Sequence, residues 1–184
     1  MKRIPTASQT IGPFFNFGLT ANSALGRLAG RGAMGERIQL TVQIWDGAGS
    51  PAPGDAMIEV WQADAQGKYA HPEDTQPAAP DPYFSGFGRL ETQPGGYCIF
   101  ETVKPGATPG QAPHINVTLF ARGLLKHLHT RIYFEGVPAN AEDPVLALVP
   151  ADRQWTLLAR ETGPGAWRFE IQLQGERETV FFDV

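Results

Sequence analysis

A phenol and an imidazole placed together can hold an oxidised metal, and this sequence offers several pairings of the two. Tyr69 ends the run Ala65-Gln66-Gly67-Lys68-Tyr69, and its phenolate oxygen would be a hard anionic ligand of the kind that favours ferric iron. Histidines stand at His71, His114, His127 and His129. In His127-Leu128-His129 the rings are spaced i, i+2, which on a strand puts both on one face, able to share a metal. No acidic or histidine residue follows at a spacing that supplies a third ligand. Two hydrogen-bonded histidines beside Arg131 are therefore the competing reading. His114 and Asn116 share a strand face in the same way, with Ile115 and Val117 turned to the opposite, core side. A neutral amide oxygen is a weak donor to a transition metal, so this segment reads equally as half a metal site or as an ordinary strand start.

The elements that must position these residues are short strands. Ile38, Leu40, Val42 and Ile44 alternate with Gln39, Thr41 and Gln43, the period-two signature of a half-buried strand, and Asp46-Gly47-Ala48-Gly49 supplies the turn. Further strands are expected at 58–61, 86–92, 97–103, 115–121, 130–134, 167–173 and 179–182. A polar connection rich in Pro and Asp follows residue 61, and 144–160 is ambiguous, with room for a helical turn. Residues 1–36 show no sustained period and read as an extended N-terminal arm, with a short helix expected near 21–28. Phe14, Phe15, Phe17 and Leu19 make that arm too apolar to hang free, so it should pack on its own domain or on a neighbour. At least eight strands without a long amphipathic helix indicate an antiparallel β-sandwich over 37–184, with long loops at the sheet ends where a site would be built.

Composition removes several function classes. A net charge of −4 with no basic run argues against nucleic acid, because neutralising phosphates needs clustered Lys and Arg. The single cysteine, Cys98, excludes an internal disulfide and any Cys-based zinc cluster; it reads as a small buried residue, or alternatively as a reactive thiol. The basic start Met1-Lys2-Arg3-Ile4-Pro5 runs into Thr, Ser and Gln rather than an apolar stretch, which is not a signal peptide. No apolar run approaches the roughly 20 residues of a membrane span. A cytoplasmic protein is expected.

Seven stretches, in order along the chain, resemble the intradiol ring-cleaving dioxygenases: 8–13 (SQTIGP), 59–69 (EVWQADAQGKY), 102–106 (TVKPG), 112–117 (APHINV), 119–123 (LFARG), 127–134 (HLHTRIYF) and 178–183 (ETVFFD). In catalytic members of that family two tyrosines and two histidines hold ferric iron. The resemblance keeps Tyr69 as one tyrosine and His114 as the first histidine, whereas Thr108 and Asn116 stand where the second phenolate and second imidazole belong. It thus implies a vestigial metal site and no metal held by this chain. In heteromeric members a β subunit related in fold carries the Fe(III), and the active site lies at the α/β interface. By that resemblance this chain is the α-type partner in a higher hetero-oligomer. It lends Thr10, Gly12, Pro13 and Arg122 to a pocket for a small aromatic substrate and O2. Arg122 would hold or steer a benzoate carboxylate, or support the pocket wall, or be a solvated surface residue. Two other classes stand beside this one: a self-sufficient metalloenzyme built on His127 and His129, and a non-enzymatic β-sandwich binding module.

Overall fold

The computed structural model describes residues 6–47, 49–52, 54 and 56–183, with the side chains of 13–16 outside that description. The start at 1–5 and the side chains of Pro13, Phe14 and Phe15 therefore lie outside the described residues.

Eight strands form: β1 (Arg37–Trp45), β2 (Met57–Gln62), β3 (Phe87–Glu91), β4 (Tyr97–Val103), β5 (His114–Phe120), β6 (Leu128–Phe134), β7 (Leu158–Gly163) and β8 (Ala166–Gln172). They pair in the order β3-β2-β5-β6-β7-β8-β1-β4. The first four make one layer and the last four the other, joined by a short β6–β7 contact at Tyr133↔Leu158 and Phe134↔Ala159. The β-sandwich read from the period-two pattern is present. Not all of it is antiparallel: β1 runs parallel to β8, and β6 parallel to β7. The 179–182 segment makes an isolated bridge, Phe182 to His129, rather than a full strand, while β7 arises inside the ambiguous 144–160 stretch.

The core follows from strict alternation. Ile38, Leu40, Val42 and Ile44 of β1 face Ile58 and Val60 of β2 and Ile115, Val117 and Leu119 of β5 across the layer gap, all at most 3% exposed. Each such side chain withdrawn from water contributes about 1.5–3 kcal/mol before conformational entropy is set against it. Since β5 gives its odd-numbered positions to the core, His114, Asn116, Thr118 and Phe120 must line the outer face. A second, smaller cluster of Ala112, Tyr133, Leu146, Val149 and Leu157 packs beneath the 138–157 connection, which carries three 3-10 turns.

The arm holds an α-helix, α1 (Pro13–Thr20), and a 3-10 turn at Ser23–Gly26 capped by the Asn22 side chain. The short helix expected near 21–28 is the 3-10 turn at Ser23–Gly26, and α1 precedes it with Pro13 at its first turn, where a missing N–H costs nothing. Leu28 and Ala29 enter the core between the two edge strands: Arg27 bridges to Glu101 of β4, and Ala29 to Phe84 ahead of β3. Among the described residues no helix is long and apolar enough to cross a membrane.

Candidate functional site

The outer face of β2-β5-β6 gathers the residues that sequence chemistry singled out. In register, Trp61 stands beside Asn116 and Asn116 beside Arg131, while His114 faces Tyr133. Tyr69 returns over this face, its ring stacked on Trp61 at 5.7 Å between centroids. Its hydroxyl lies 3.2 Å from His114 Nε2. His114 Nδ1 lies 2.8 Å from the Ala112 carbonyl, which can only accept, so Nδ1 carries the proton and Nε2 accepts from Tyr69. Asn116 Nδ2 donates to the Tyr69 hydroxyl and to the Trp61 carbonyl, both at 3.4 Å. Burial raises the Tyr69 pKa above that of an ordinary phenol, against a lowering by Asn116 and by the Arg131 charge. The same desolvation lowers the His114 pKa, assisted by Arg131. At neutral pH the site is a neutral phenol donating to a neutral imidazole.

The loop that delivers Tyr69 is fixed by buried polar groups. Asp64, 1% exposed, accepts from the backbone N–H groups of Gln66, Lys68 and Asp81. The Lys68 ammonium, 5% exposed, bonds the Asp74 carboxylate at 2.8 Å and the carbonyls of Asp74 and Gln76. Asp74 returns a bond to the Tyr69 N–H at 2.8 Å, and the Lys68 contact holds its carboxyl well below the usual range. Gly67 sits at φ +81°, and a Cβ there would collide with the Ala107 carbonyl, so glycine lets this loop press against the one carrying Thr108. The Thr108 hydroxyl is buried with no hydrogen-bond partner among the described residues.

Two ligand types are therefore present and two are not. Tyr69 and His114 are brought together as expected, with Asn116 as the third neighbour. A ferric site needs charge-bearing donors, and neither a threonine hydroxyl nor a neutral amide supplies one. Among the described residues no three His, Cys, Asp or Glu side chains converge to hold a metal. The described residues around Tyr69 and His114 do not fit a resident iron. His127 and His129 do meet, at 4.6 Å between ring centroids, but His129 is engaged by Thr118 at 3.3 Å and His127 lies against Phe120.

A second constellation forms at the other end of β5. Thr10 Oγ1 accepts from the Gly123 N–H at 2.9 Å, which brings the arm beside Arg122. Gln9 and Ile11 border a shallow groove with Phe120, Leu124, Leu125 and His127. Thr10, Gly12 and Arg122 are all exposed. His114 opens β5 and Phe120 closes it, so the two ends lie about 20 Å apart at ~3.3 Å per residue.

Sequence reading missed three residues of the first cluster: Gln111, which accepts from Arg131 Nη1 at 2.7 Å, Tyr133, and Asp143. Asp143 is 1% exposed and takes bonds from the Tyr133 hydroxyl and the N–H groups of Ala112, Val145 and Leu146. Asp143 thereby fixes the approach to His114. Pairing 114–117 against 130–133 as a hairpin would have flagged Arg131 and Tyr133; Asp143 left no comparable signal.

The chain is thus a two-layer β fold that carries a phenol–imidazole pair on an outer sheet face. A family model described as Dioxygenase matches residues 11–175, and the chain belongs to that family. It is 43% identical to the protocatechuate 3,4-dioxygenase alpha chain of Pseudomonas putida, covering 97% of this chain and 96% of that one. It is 37% identical to the beta chain of the same enzyme from Burkholderia cepacia, over 79% of this chain and 68% of that one. Among solved structures, the dioxygenase domain of a dioxygenase carbohydrate-binding protein fusion from Streptomyces sp. SirexAA-E superposes with a TM-score of 0.63. It is 27% identical, covering 84% of this chain and 88% of that one.

Proposed function

We propose that this chain is the α subunit of a protocatechuate 3,4-dioxygenase, paired with an iron-bearing β subunit in a cytoplasmic hetero-oligomer. The assembly inserts both atoms of O2 between the hydroxylated carbons of 3,4-dihydroxybenzoate, giving 3-carboxy-cis,cis-muconate. Fe(III) held by the β subunit would supply the chemistry that activates the catechol toward O2. This chain's part is to shape the pocket with its arm, residues 1–36, and with Arg122.

The observation that carries this reading is the separation along β5. Thr10 bonds Gly123 beyond the Phe120 end of β5, whereas His114 opens the strand about 20 Å away at ~3.3 Å per residue, which argues against Thr10 and Arg122 serving the Tyr69–His114 pair. That separation supports a role for them at a site on another chain. Gly12 supports the same role: its φ is −101°, and a Cβ there would meet nothing within 4 Å. Among the described residues nothing requires glycine at that position, which supports reading the missing side chain as room for something outside the chain. Pro13 stiffens the turn that follows, and Arg122 supplies a fork-shaped cation suited to the substrate carboxylate. Phe17, 69% exposed on α1, is an apolar contact for the β subunit.

Purification of the chain alone and with its β partner tests the proposal. The pair is expected to cleave 3,4-dihydroxybenzoate with one iron per αβ unit, and the chain alone to hold no iron and show no iron–tyrosinate colour. Stoichiometric iron in the chain alone would overturn it.

A further inference from the structure

The Tyr69 cluster contains a fixed positive charge that no ligand comparison accounts for. Arg131 lies directly across from Asn116 in the β5–β6 register, and Tyr133 across from His114, so the four share one outward face. The guanidinium is held there by Gln111 Oε1 at 2.7 Å and by the Tyr133 hydroxyl at 3.5 Å. Tyr133 is itself 0% exposed and donates to the buried Asp143 carboxylate at 2.9 Å. The anchor is therefore built, not a surface side chain resting by chance. Its charge acts on both Tyr69 and His114. A guanidinium is permanently charged and has only donors, so it can neither ligate a metal nor step aside by losing a proton.

We propose that Arg131 is the resident cation of this site: anchored across from Asn116 by Gln111 and Tyr133, it supplies the positive charge of the Tyr69–His114 cluster and keeps multivalent cations out. The inference rests on the reading that the partner subunit, not this chain, holds the iron. It goes further by assigning the exclusion to a charge that is present as well as to ligands that are missing. A divalent ion meets twice the repulsion of a monovalent one from the same guanidinium, and a trivalent ion three times. Restoring a donor at position 116 is then not enough to restore a metal site.

The test uses the assembled αβ complex, with Co2+ as the probe metal. Asn116→His is made with Arg131 intact, with Arg131→Gln and with Arg131→Lys, and assembly of each is checked by size exclusion. Co2+ beyond the β subunit's metal is expected to bind at least tenfold more tightly with Arg131→Gln than with Arg131 or Arg131→Lys. Equal affinities in the three, or tight binding with Arg131 intact, would overturn the inference. Should Asn116→His fail to assemble, Arg131→Gln and Arg131→Lys in the otherwise unchanged chain give the same comparison on Tyr69 and His114 alone. There a severalfold gain for Gln over Lys is expected, and no difference would overturn it. A second iron in the unsubstituted complex would overturn both the functional reading and the inference, whereas equal Co2+ affinities in the three variants overturn the inference alone.

Discussion

Removing the hydroxyl of Thr10 isolates a described hydrogen bond between the arm and the Arg122 loop. Thr10→Val keeps the branched shape and deletes the acceptor of the Gly123 N–H at 2.9 Å. A neutral hydrogen bond contributes about 0.5–1.5 kcal/mol net, and this one is exposed, so about 0.5–1 kcal/mol is the working figure. That energy corresponds to roughly a two- to fivefold shift in the docking equilibrium of the arm. Exchange of the Gly123 amide should accelerate by that factor in the chain alone, because its partner is lost whether or not a β subunit is present. In the αβ complex KM for 3,4-dihydroxybenzoate should rise by no more than the same factor, and Thr10→Ser should restore both values. Unchanged Gly123 exchange would refute the claim that this bond holds the arm. A much larger rise in KM without a change in exchange would show Thr10 acting on the substrate directly.

Arg122→Ala should lower kcat/KM for the carboxylated substrate by roughly ten- to a hundredfold, the worth of one charge-assisted hydrogen bond, and leave turnover of unsubstituted catechol unchanged. Equal loss on both substrates would remove Arg122 from carboxylate recognition. Asp143→Ala strands three backbone N–H groups and the Tyr133 hydroxyl, and should destabilise the chain by at least about 3 kcal/mol in denaturant titration. A loss below about 1 kcal/mol would mean that water replaces the carboxylate. Acid should weaken the fold in two stages. Burial holds the His114 pKa below its ordinary 6.5, so the unfolded chain takes that proton first, and stability is complete above 6.5 and declines as pH falls beneath it. Asp74, held below its ordinary 3.8 by Lys68, adds a further loss as pH drops beneath that value. His114→Gln should flatten the first stage in thermal scans, and an unaltered slope would assign it elsewhere.

Much of this was legible because alternation is a local signal. Ile38 to Ile44 and Ile115 to Leu119 declare their buried faces without help from the rest of the chain. Parallel pairing of β1 with β8 is not local: it joins strands more than a hundred residues apart, and no side-chain pattern reports direction. β7 was hidden for another reason. Its burial pattern is mostly exposed, with only Ala159 fully inside, so it lacks an apolar stripe to read. At the site, residue types identified Tyr69 and His114, and their 3.2 Å contact followed. Arg131 and Asp143 act through register and through a long connection, and both properties exist only once the sheet is formed.

The seam between the edge strands carries a consequence for assembly. Residues 27–29 close it, Leu28 receiving a bond from Ser85 and giving one to Glu101, and the arm leaves from there toward Gly123. A chain whose seam is still open has no fixed root from which to aim Thr10 and Gly12. The surface offered to a partner in this way depends on a closed seam, and a subunit whose seam is open presents a different one.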